Sequence, residues 1–305
     1  MTNSLDIDHL RTLVAIAECG GFSRAAAVRH ISQPALSQHV RLLERGLKRK
    51  LFERDGRVMR FTHAGETVLA EARHILAAHD SALDRLAVPQ QRTIVVGSTE
   101  HAAEHVLPEM LQALSSAFPG ATTRFEIGRS TSLLDAVGKG VVDVAFVLDS
   151  GTAGAGHEVA RLPLVWYSAP GWSPADAVDP AGSSEPLALV AFEEPCGLRQ
   201  RALTALDAEG YRVTVTAQST TLEGVTAGVR AGLGVALLPS TGGRPHGMVA
   251  RDDLPRAGEV SLRLVGRRGL DPAIEQAAVE SAAGFFDSRP HLRLVPASLD
   301  RTTGA

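Results

Sequence analysis

The side chains best suited to molecular recognition lie close together in one segment near the N-terminus. Gln33, Ser37, Gln38 and Arg41 recur at a spacing that places them largely on one side of a helix. Arginine pairs with guanine through two hydrogen bonds, glutamine pairs with adenine, and serine donates or accepts. These residue types favour a helix that reads base edges in the major groove of duplex DNA, although a solvated helix face has a similar composition.

The segment that must position these side chains has the pattern of two helices joined by a tight turn. Ser23 is a candidate N-cap for a first, alanine-rich helix. Ser32 is a candidate N-cap for a second helix, with Pro34 in its first turn. The other side of this second helix is apolar, at Leu36, Val40, Leu43 and Leu47. Such a pair of helices is typical of a helix-turn-helix unit.

A short basic hairpin is predicted directly after these helices. Residues 51–61 read LFERDGRVMRF, and the pair Asp55-Gly56 is a strong signal for a tight turn between two strands. Three arginines lie along it, at Arg54, Arg57 and Arg60. Such a wing contacts phosphates or the minor groove. The charge distribution agrees, since residues 1–62 carry a net charge of +5 and the rest of the chain carries −8.

The order of these segments resembles the DNA-binding end of LysR-type transcriptional regulators. The resemblance rests on the alanine-rich helix followed by SQPALSQHVRLLE (32–44), LFER (51–54) and FTHAGE (61–66). It implies that residues 33–41 read bases and that Arg54 and its neighbours touch the DNA backbone. The DNA-binding set is then Ser32, Gln33, Pro34, Ser37, Gln38, Arg41, Lys48, Arg54 and Arg57.

One position departs from the family pattern. LysR-type proteins usually have a glycine that closes the recognition helix just before the wing, and Lys48 stands there in this chain. Because lysine has a steric cost in the left-handed conformation of a helix C-cap, a different cap that involves Gly46 is expected. Lys48, Arg49 and Lys50 form a basic cluster close to the expected phosphates.

A long amphipathic helix is predicted from an N-cap at Thr62 to about residue 87. Its seam positions alternate between three-residue and four-residue spacing, at Leu69, Ala72, Leu76, His79, Leu83 and Leu86. This is a heptad seam. A helix packed on its own domain shows the same stripe, but pairing with a second copy is the favoured interpretation. The family resemblance likewise implies a dimer through this helix, and a tetramer built from dimers.

Strands and helices alternate through most of the remaining chain. The predicted strands are 93–97, 122–127, 141–148, 187–192, 212–216 and 235–238, and the predicted helices are 102–118, 132–139, 197–209, 222–231 and 272–286. This rhythm predicts parallel sheets covered by helices. The resemblance continues through GVTAGVRAGLGVALLP (224–239) and implies two α/β lobes, with chain crossings near 164–170 and 264–268.

The chain of 305 residues is long enough for several separate cores. The predicted fold class is α+β multidomain: a winged helix-turn-helix, a long linker helix, and a two-lobed α/β effector domain that resembles periplasmic binding proteins. The predicted bounds are 1–61 for the DNA-binding domain, 62–91 for the linker and hinge, 92–295 for the effector domain and 296–305 for a tail. Within the effector domain, lobe I takes 92–163 and 267–289, and lobe II takes 164–266.

Small polar residues cluster where predicted strands end and helices begin. Ligands of open α/β sheets bind at these junctions, and the free N–H groups of helix N-termini favour an anion. Ordinary helix caps have the same composition, but four such junctions at the lobe ends favour an effector cleft. The candidate effector-binding residues are Ser98, Thr99, Ser130, Thr131, Cys196, Arg199 and Ser219.

Catalytic chemistry has little support in the sequence. Residues 101–105 read HAAEH, an inverted zinc-protease pattern, but a further ligand is not identified and no paired nucleophile and base emerges. The glycines of residues 151–156 lack the strand and the lysine of a phosphate-binding loop. The two cysteines, Cys19 and Cys196, indicate neither a disulfide scaffold nor a cysteine-based zinc site.

The sequence therefore predicts a cytoplasmic regulator that is not an enzyme and has no metal or resident cofactor. No apolar run approaches the roughly 20 residues that span a bilayer, and the first ten residues lack the features of a signal peptide. The expected partners are double-stranded operator DNA, a small anionic metabolite as co-inducer, a second copy of the chain, and RNA polymerase. The alternatives are a sequence-nonspecific architectural DNA-binding protein and, less favoured, an H-x-x-E-H zinc hydrolase.

Overall fold

The computed structural model describes residues 4–55, 58–86, 93–149, 156–173, 186–240, 243, 245–287 and 293–294. These residues form a helical domain with a hairpin, a long helix, and two α/β lobes. The predicted architecture is confirmed. The predicted hinge at 88–91 and the tail at 296–305 lie outside the described residues.

The N-terminal domain contains three helices and one hairpin, namely α1 (Ile7–Cys19), α2 (Phe22–Val28), α3 (Gln33–Leu47), β1 (Phe52–Asp55) and β2 (Val58–Phe61). Each helix contributes one apolar face to a shared core around the fully buried Leu10, Leu13 and Leu36. The hairpin is antiparallel, with Phe52 opposite Phe61, and Phe52 packs edge-on against Phe22 at 5.0 Å. The wing is therefore attached to the helices through aromatic contacts.

The N-termini of α2 and α3 differ from each other in how they are capped. The Ser32 hydroxyl accepts a hydrogen bond from Ala35 N at 3.2 Å, which confirms the predicted cap of α3. The predicted Ser23 cap is wrong, because α2 begins at Phe22 and no side chain caps it. Gly20 ends α1 in the left-handed conformation (φ 66°, ψ 31°), so the chain enters α2 one residue earlier than the pattern predicts.

The C-terminus of α3 closes on Lys48 itself. Lys48 adopts the left-handed conformation (φ 53°, ψ 34°), and its N–H points to the carbonyls of Glu44 and Arg45. Gly46 lies within the helix, so the expected alternative cap at Gly46 is wrong. The lysine takes the strained backbone conformation that a glycine would take without steric cost.

The long helix α4 (His63–Arg85) begins as predicted, since the Thr62 hydroxyl accepts from Gly65 N at 2.9 Å. Leu69 and Ala72 are buried in the core of the N-terminal domain, where α4 packs on α1. These two positions of the predicted heptad seam therefore pack inside the chain's own N-terminal domain and not against a second copy of the helix. Further along, Leu86 is 72% exposed.

The middle of α4 also touches the first lobe. Arg73 donates to the carbonyl of Lys139 at 3.3 Å, and the ring of His74 lies 3.1 Å from the carbonyl of Arg268. Gly140 has a positive φ of 63°, and a Cβ atom there would meet the Arg73 Cβ at 3.1 Å. The close approach of helix and lobe at this point depends on the absence of a side chain.

The two lobes contain the remaining elements, in the order β3 (Thr93–Ser98), α5 (Glu100–Ala117), β4 (Thr122–Ile127), α6 (Ser130–Gly138), β5 (Val144–Asp149), β6 (His157–Ser168), β7 (Leu187–Phe192), α7 (Gly197–Ala208), β8 (Val213–Ser219), α8 (Leu222–Arg230), β9 (Ala236–Pro239), β10 (Val249–Arg251), β11 (Glu259–Gly266), α9 (Pro272–Asp287) and β12 (Arg293–Leu294). The larger sheet has the order β10-β6-β11-β5-β3-β4, with β9 and β12 also paired to β6.

The first lobe has three layers, because alternate residues of its strands face opposite sides. Ile94 and Val96 of β3 share a core with α5 and α9, while Val95 packs on the other side with Leu133 and Val137 of α6. Strand β3 pairs in parallel with β4 and β5, and β7 pairs in parallel with β8. The predicted parallel pairing holds for these strands, but β6 and β11 run antiparallel to their neighbours.

Strands β6 and β11 connect the lobes. Up to Pro163, β6 pairs with β11, and from Leu164 it pairs with β9 and β10 of the second lobe. Strand β11 pairs with β5 from Ser261 to Gly266. The chain has thus returned to the first lobe by Glu259, and the predicted crossing at residues 264–268 is wrong. Antiparallel pairing between distant segments leaves no local signal in the sequence.

Candidate functional site

The outward face of α3 carries the predicted reading residues. Gln33, Gln38 and Arg41 are exposed and Ser37 is half-buried. The opposite face is buried through Leu36, Val40 and Leu43, so these polar residues cannot turn inward without loss of the core. Ser32 and Pro34 form the capped first turn of the same helix. The structure therefore presents the predicted surface as an outward polar helix face, on which the Gln33 side chain accepts a hydrogen bond from the Ser23 hydroxyl at 3.3 Å.

A polar contact inside the domain fixes the position of α3. The ring of His39 lies 2.9 Å from the Thr12 hydroxyl of α1, and Thr12 is fully buried. Burial lowers the pKa of His39, and the ring of His9, 4.5 Å away, acts in the same direction. An uncharged imidazole is compatible with this contact between two packed helices.

The wing is held to the end of α3 by Glu44. Its carboxylate accepts from Leu51 N and from the Lys50 ammonium, each at 2.9 Å. Burial by itself raises the pKa of Glu44. The hydrogen bonds from Lys50 and Leu51 lower this pKa by more, so the net shift is downward. The predicted backbone contacts Lys48 and Arg54 are exposed on either side of this junction. The predicted Arg57 lies outside the described residues.

A second candidate site is a cavity of about 240 Å³ between the two lobes. Helices α5, α6 and α7 begin at its wall, and no side chain caps the N-terminus of any of the three. Four of the seven predicted effector residues line this cavity, namely Thr99, Ser130, Thr131 and Cys196. The Ser130 hydroxyl is partly engaged there, because it accepts from Leu148 N at 3.1 Å.

The other three predicted effector residues do not line the cavity. Ser98 is fully buried, and its hydroxyl donates to the carbonyl of Thr99. Arg199 binds the carbonyl of Phe192 and the side chain of Gln218 within its own lobe. The Ser219 hydroxyl accepts from Thr221 N in the turn before α8. Each of these side chains satisfies a local backbone or side-chain group, so the structure does not bring these three residues to the cavity.

Charged residues that the sequence did not single out join the cavity wall. Glu100, Arg129 and Arg201 all line it. Arg201 donates to the carbonyl of Glu259 at 2.8 Å, and Arg129 donates to the carbonyls of Glu193 and Pro195. Within the described residues, neither arginine has a carboxylate partner. The two guanidinium groups therefore reach the cavity wall bound to carbonyl oxygens and not to carboxylates.

Two of these contacts also hold the lobes together. The Arg129 guanidinium, at the start of α6 in the first lobe, binds carbonyls that follow β7 in the second. The Glu100 carboxylate, in the first turn of α5, accepts from Leu222 N at the start of α8. Both pairs connect the two lobes beside the cavity.

Two residues of the wall contain buried polar atoms that have no hydrogen-bond partner among the described residues, namely Thr99 Oγ1 and His101 Nε2. Burial lowers the pKa of His101 to about 4. Its ring is tilted against Phe192 with 5.6 Å between the ring centres. Thr99 and His101 thus bring a hydroxyl and a neutral imidazole to the cavity wall, beside its charged and apolar residues.

The described residues give no support to the zinc alternative. They contain no group of three or more histidine, cysteine, aspartate or glutamate side chains that could hold a metal ion. His101 packs at the cavity wall, while the side chains of Glu104 and His105 lie outside the described residues. None of the described helices has the length and apolarity of a membrane span.

Comparison with known proteins identifies the family of both parts of the chain. Residues 7–66 match the bacterial regulatory helix-turn-helix protein family of LysR type, and residues 88–281 match the LysR substrate binding domain. The chain is 33% identical to the regulator PecT of Dickeya dadantii over 77% of this chain and 72% of PecT. It is 37% identical to DgdR of Burkholderia cepacia over 78% of this chain and 79% of DgdR.

The fold is also similar to that of solved structures. A solved structure of full-length CbnR complexed with its target DNA is similar over 92% of this chain and 100% of CbnR, with a TM-score of 0.59 and 20% identity. Both domains and their order agree with these comparisons. The chain belongs to the LysR family of DNA-binding transcriptional regulators, with a helix-turn-helix domain followed by an effector-binding domain.

Proposed function

We propose that the protein binds a specific operator as a symmetric dimer with α3 in the major groove, and that a small anion between the lobes alters this binding. The exposed row of Gln33, Gln38 and Arg41 supports the first part, because these side chains match the donors and acceptors of base edges. CbnR, which was solved with its target DNA, supports the same kind of partner here.

The charge of the cavity is the observation that carries the second part. Arg129 and Arg201 bring two positive charges to the wall, and only Glu100 opposes them. The starts of α5, α6 and α7 add free N–H groups and the positive ends of their helix dipoles. A small carboxylate is the ligand that this combination favours. Thr131 and Ser130 at the start of α6 would contact it.

The arrangement of the lobes connects ligand binding to regulation. A ligand changes DNA binding only if it prefers one arrangement of the protein over another. The contacts of Arg129 with Pro195 and of Glu100 with Leu222 connect the two lobes, so a change in the lobe arrangement would break them. An anion beside Arg129 would strengthen the present arrangement, because it compensates the guanidinium charge there.

The dimer contact is proposed for the second half of α4. Leu69 and Ala72 are occupied within the chain, but Leu83 is half-buried and Leu86 is 72% exposed. These two residues are one turn apart on the same face, where a second copy of the helix would cover them. Leu83→Glu should then dissociate the dimer in sedimentation equilibrium, whereas an unchanged mass would contradict the contact.

Selection from a randomised pool of duplexes tests the DNA-binding proposal. The full-length protein should enrich a partly palindromic site with half-sites about one helical turn apart, or a multiple of that distance. Affinity should fall steeply with salt, because the basic domain displaces counterions. Arg41→Ala should reduce the preference for the selected site, and Arg230→Ala, which removes a charge from α8 of the second lobe, is its matched control. Enrichment of no preferred sequence would favour the architectural alternative instead.

The effector proposal has a separate test. Thr99→Val and Thr131→Val should weaken the response of operator binding to small carboxylates while operator affinity without ligand stays intact. The readout is a mobility-shift titration with and without a mixture of metabolites. Equal loss of ligand response and operator affinity in these variants would refute the assignment of the cavity.

A further inference from the structure

The wall of the cavity between the lobes contains two hydrogen-bonding groups that none of the described residues satisfies and that an anion alone would not satisfy. Thr99 Oγ1 and His101 Nε2 are both buried without a partner, at the start of α5. A buried polar group without a partner costs about 1–3 kcal/mol. The other two buried side-chain atoms without partners in the described residues, on Arg29 and Arg199, do not face this cavity.

The chemical character of the two groups restricts what could satisfy them. Thr99 is 5% exposed, and a threonine hydroxyl both donates and accepts. The His101 ring packs against Phe192, and because its pKa lies near 4 it is uncharged at neutral pH. A neutral imidazole nitrogen makes one hydrogen bond, as a donor or as an acceptor, and contributes no positive charge.

The carboxylate of Glu100, which also lines the cavity, is already engaged. Glu100 lies between these two residues in sequence, and its carboxylate accepts from Leu222 N of the second lobe. A second anionic group of the ligand at this position would be repelled by the negative charge of Glu100. The position therefore suits an uncharged group, in contrast to the wall around Arg129.

We propose that Thr99 and His101 together bind an uncharged hydroxyl of the effector, and that His101 is the residue that selects it. The effector is then a small hydroxylated carboxylate, with its anionic end at Arg129 and the start of α6 and its hydroxyl at the start of α5. A hydroxyl fits because it donates and accepts at once, so it can serve both residues. This inference rests on the proposed anion-binding function of the cavity.

Pairs of probes that differ by one hydroxyl test the proposal. The probes are lactate and propionate, malate and succinate, and salicylate and benzoate, each titrated into the full-length protein by calorimetry. In at least one pair the hydroxylated member should bind about fivefold or more tightly than its partner, which corresponds to one hydrogen bond of about 1 kcal/mol.

Two variants assign the preference to the named residues. His101→Phe keeps the packing against Phe192 and removes the hydrogen-bonding nitrogen, and Thr99→Val keeps the side-chain volume and removes the hydroxyl. The preference for the hydroxylated probe should fall to about twofold or less in each. Thr204→Val, on the exposed side of α7, is the matched control and should keep the full preference. Unfolding temperatures verify that each variant is folded.

Three results would overturn the proposal: no probe binds, both members of every pair bind wild-type protein equally, or the preference survives in both variants. Operator binding by the wild-type protein, measured in the same buffer, distinguishes this failure from failure of the proposed function. Retained operator binding together with binding of the unhydroxylated carboxylates would leave the anion site valid and remove only the hydroxyl subsite.

Discussion

Lys48→Gly should stabilise the DNA-binding domain, although it deletes a charge that we expect to contact DNA. Lys48 holds the left-handed conformation, which costs a residue with a Cβ about 1–2 kcal/mol. Glycine avoids this cost but loses more entropy on folding, by about 0.5–1 kcal/mol. The difference predicts a net gain of about 0.5–1 kcal/mol, because the exposed lysine side chain makes no hydrogen bond or ion pair in the described residues.

Lys48→Ala is the matched control, since it removes the same charge and keeps the Cβ atom. Hydrogen exchange of the α3 amides in the full-length protein should slow in Lys48→Gly by about two- to fivefold relative to Lys48→Ala. Both variants should weaken every DNA site alike and reduce the slope of log affinity against log salt by about 0.9 for each protomer, or about 1.8 for the dimer. Equal exchange rates in the two variants would show that the left-handed conformation at Lys48 carries no cost.

Three further perturbations test other parts of the structure. Arg41→Ala should reduce discrimination between the selected operator and single-base variants by about 1–3 kcal/mol, and unaltered discrimination in competition titrations would show that the reading helix is misplaced. Gly140→Ala should destabilise the protein and expose the middle of α4 to hydrogen exchange, because its Cβ would meet Arg73, whereas the control Gly138→Ala, which meets nothing within 4 Å, should stabilise it by about 0.4–1 kcal/mol. His101 has a pKa of about 4 in the folded protein and about 6.5 when unfolded, so the unfolded chain takes up the proton first as pH falls, and stability should decline between pH 6.5 and 4 by at most about 3 kcal/mol. His101→Phe should flatten that decline in denaturant titrations at several pH values, and an unchanged slope would contradict it.

The elements with a strong local period were predictable from the sequence. The apolar row from Leu36 to Leu43 and the signals at Ser32 and Thr62 determine α3 and the start of α4, and both caps form as expected. The error at Ser23 has a local cause as well, because serine inside a first turn looks the same in sequence as serine before it. Local patterns thus identify elements better than their first residues.

The candidate effector site was only partly predictable, for a physical reason. Thr99 and Thr131 follow strands, and the general geometry of α/β sheets places such residues at the ligand side. Arg129 and Arg201 reach the cavity only because the lobes approach each other, and that approach depends on β6 and β11, whose partners are far away in sequence. The charge of Arg199 predicts a ligand contact, but its guanidinium donates to the carbonyl of Phe192 within its own lobe.

Helix α6 joins the two regions that regulation must connect. Its first turn carries Ser130 and Thr131 at the cavity, and the chain just past its last turn, at Lys139 and Gly140, touches Arg73 of α4. Nine residues give a rod of about 13 Å, and a tilt of about 5° at one end moves the other by about 1 Å. A ligand that tilts α6 at the cavity would in this way displace α4, the helix that leads to the DNA-binding domain.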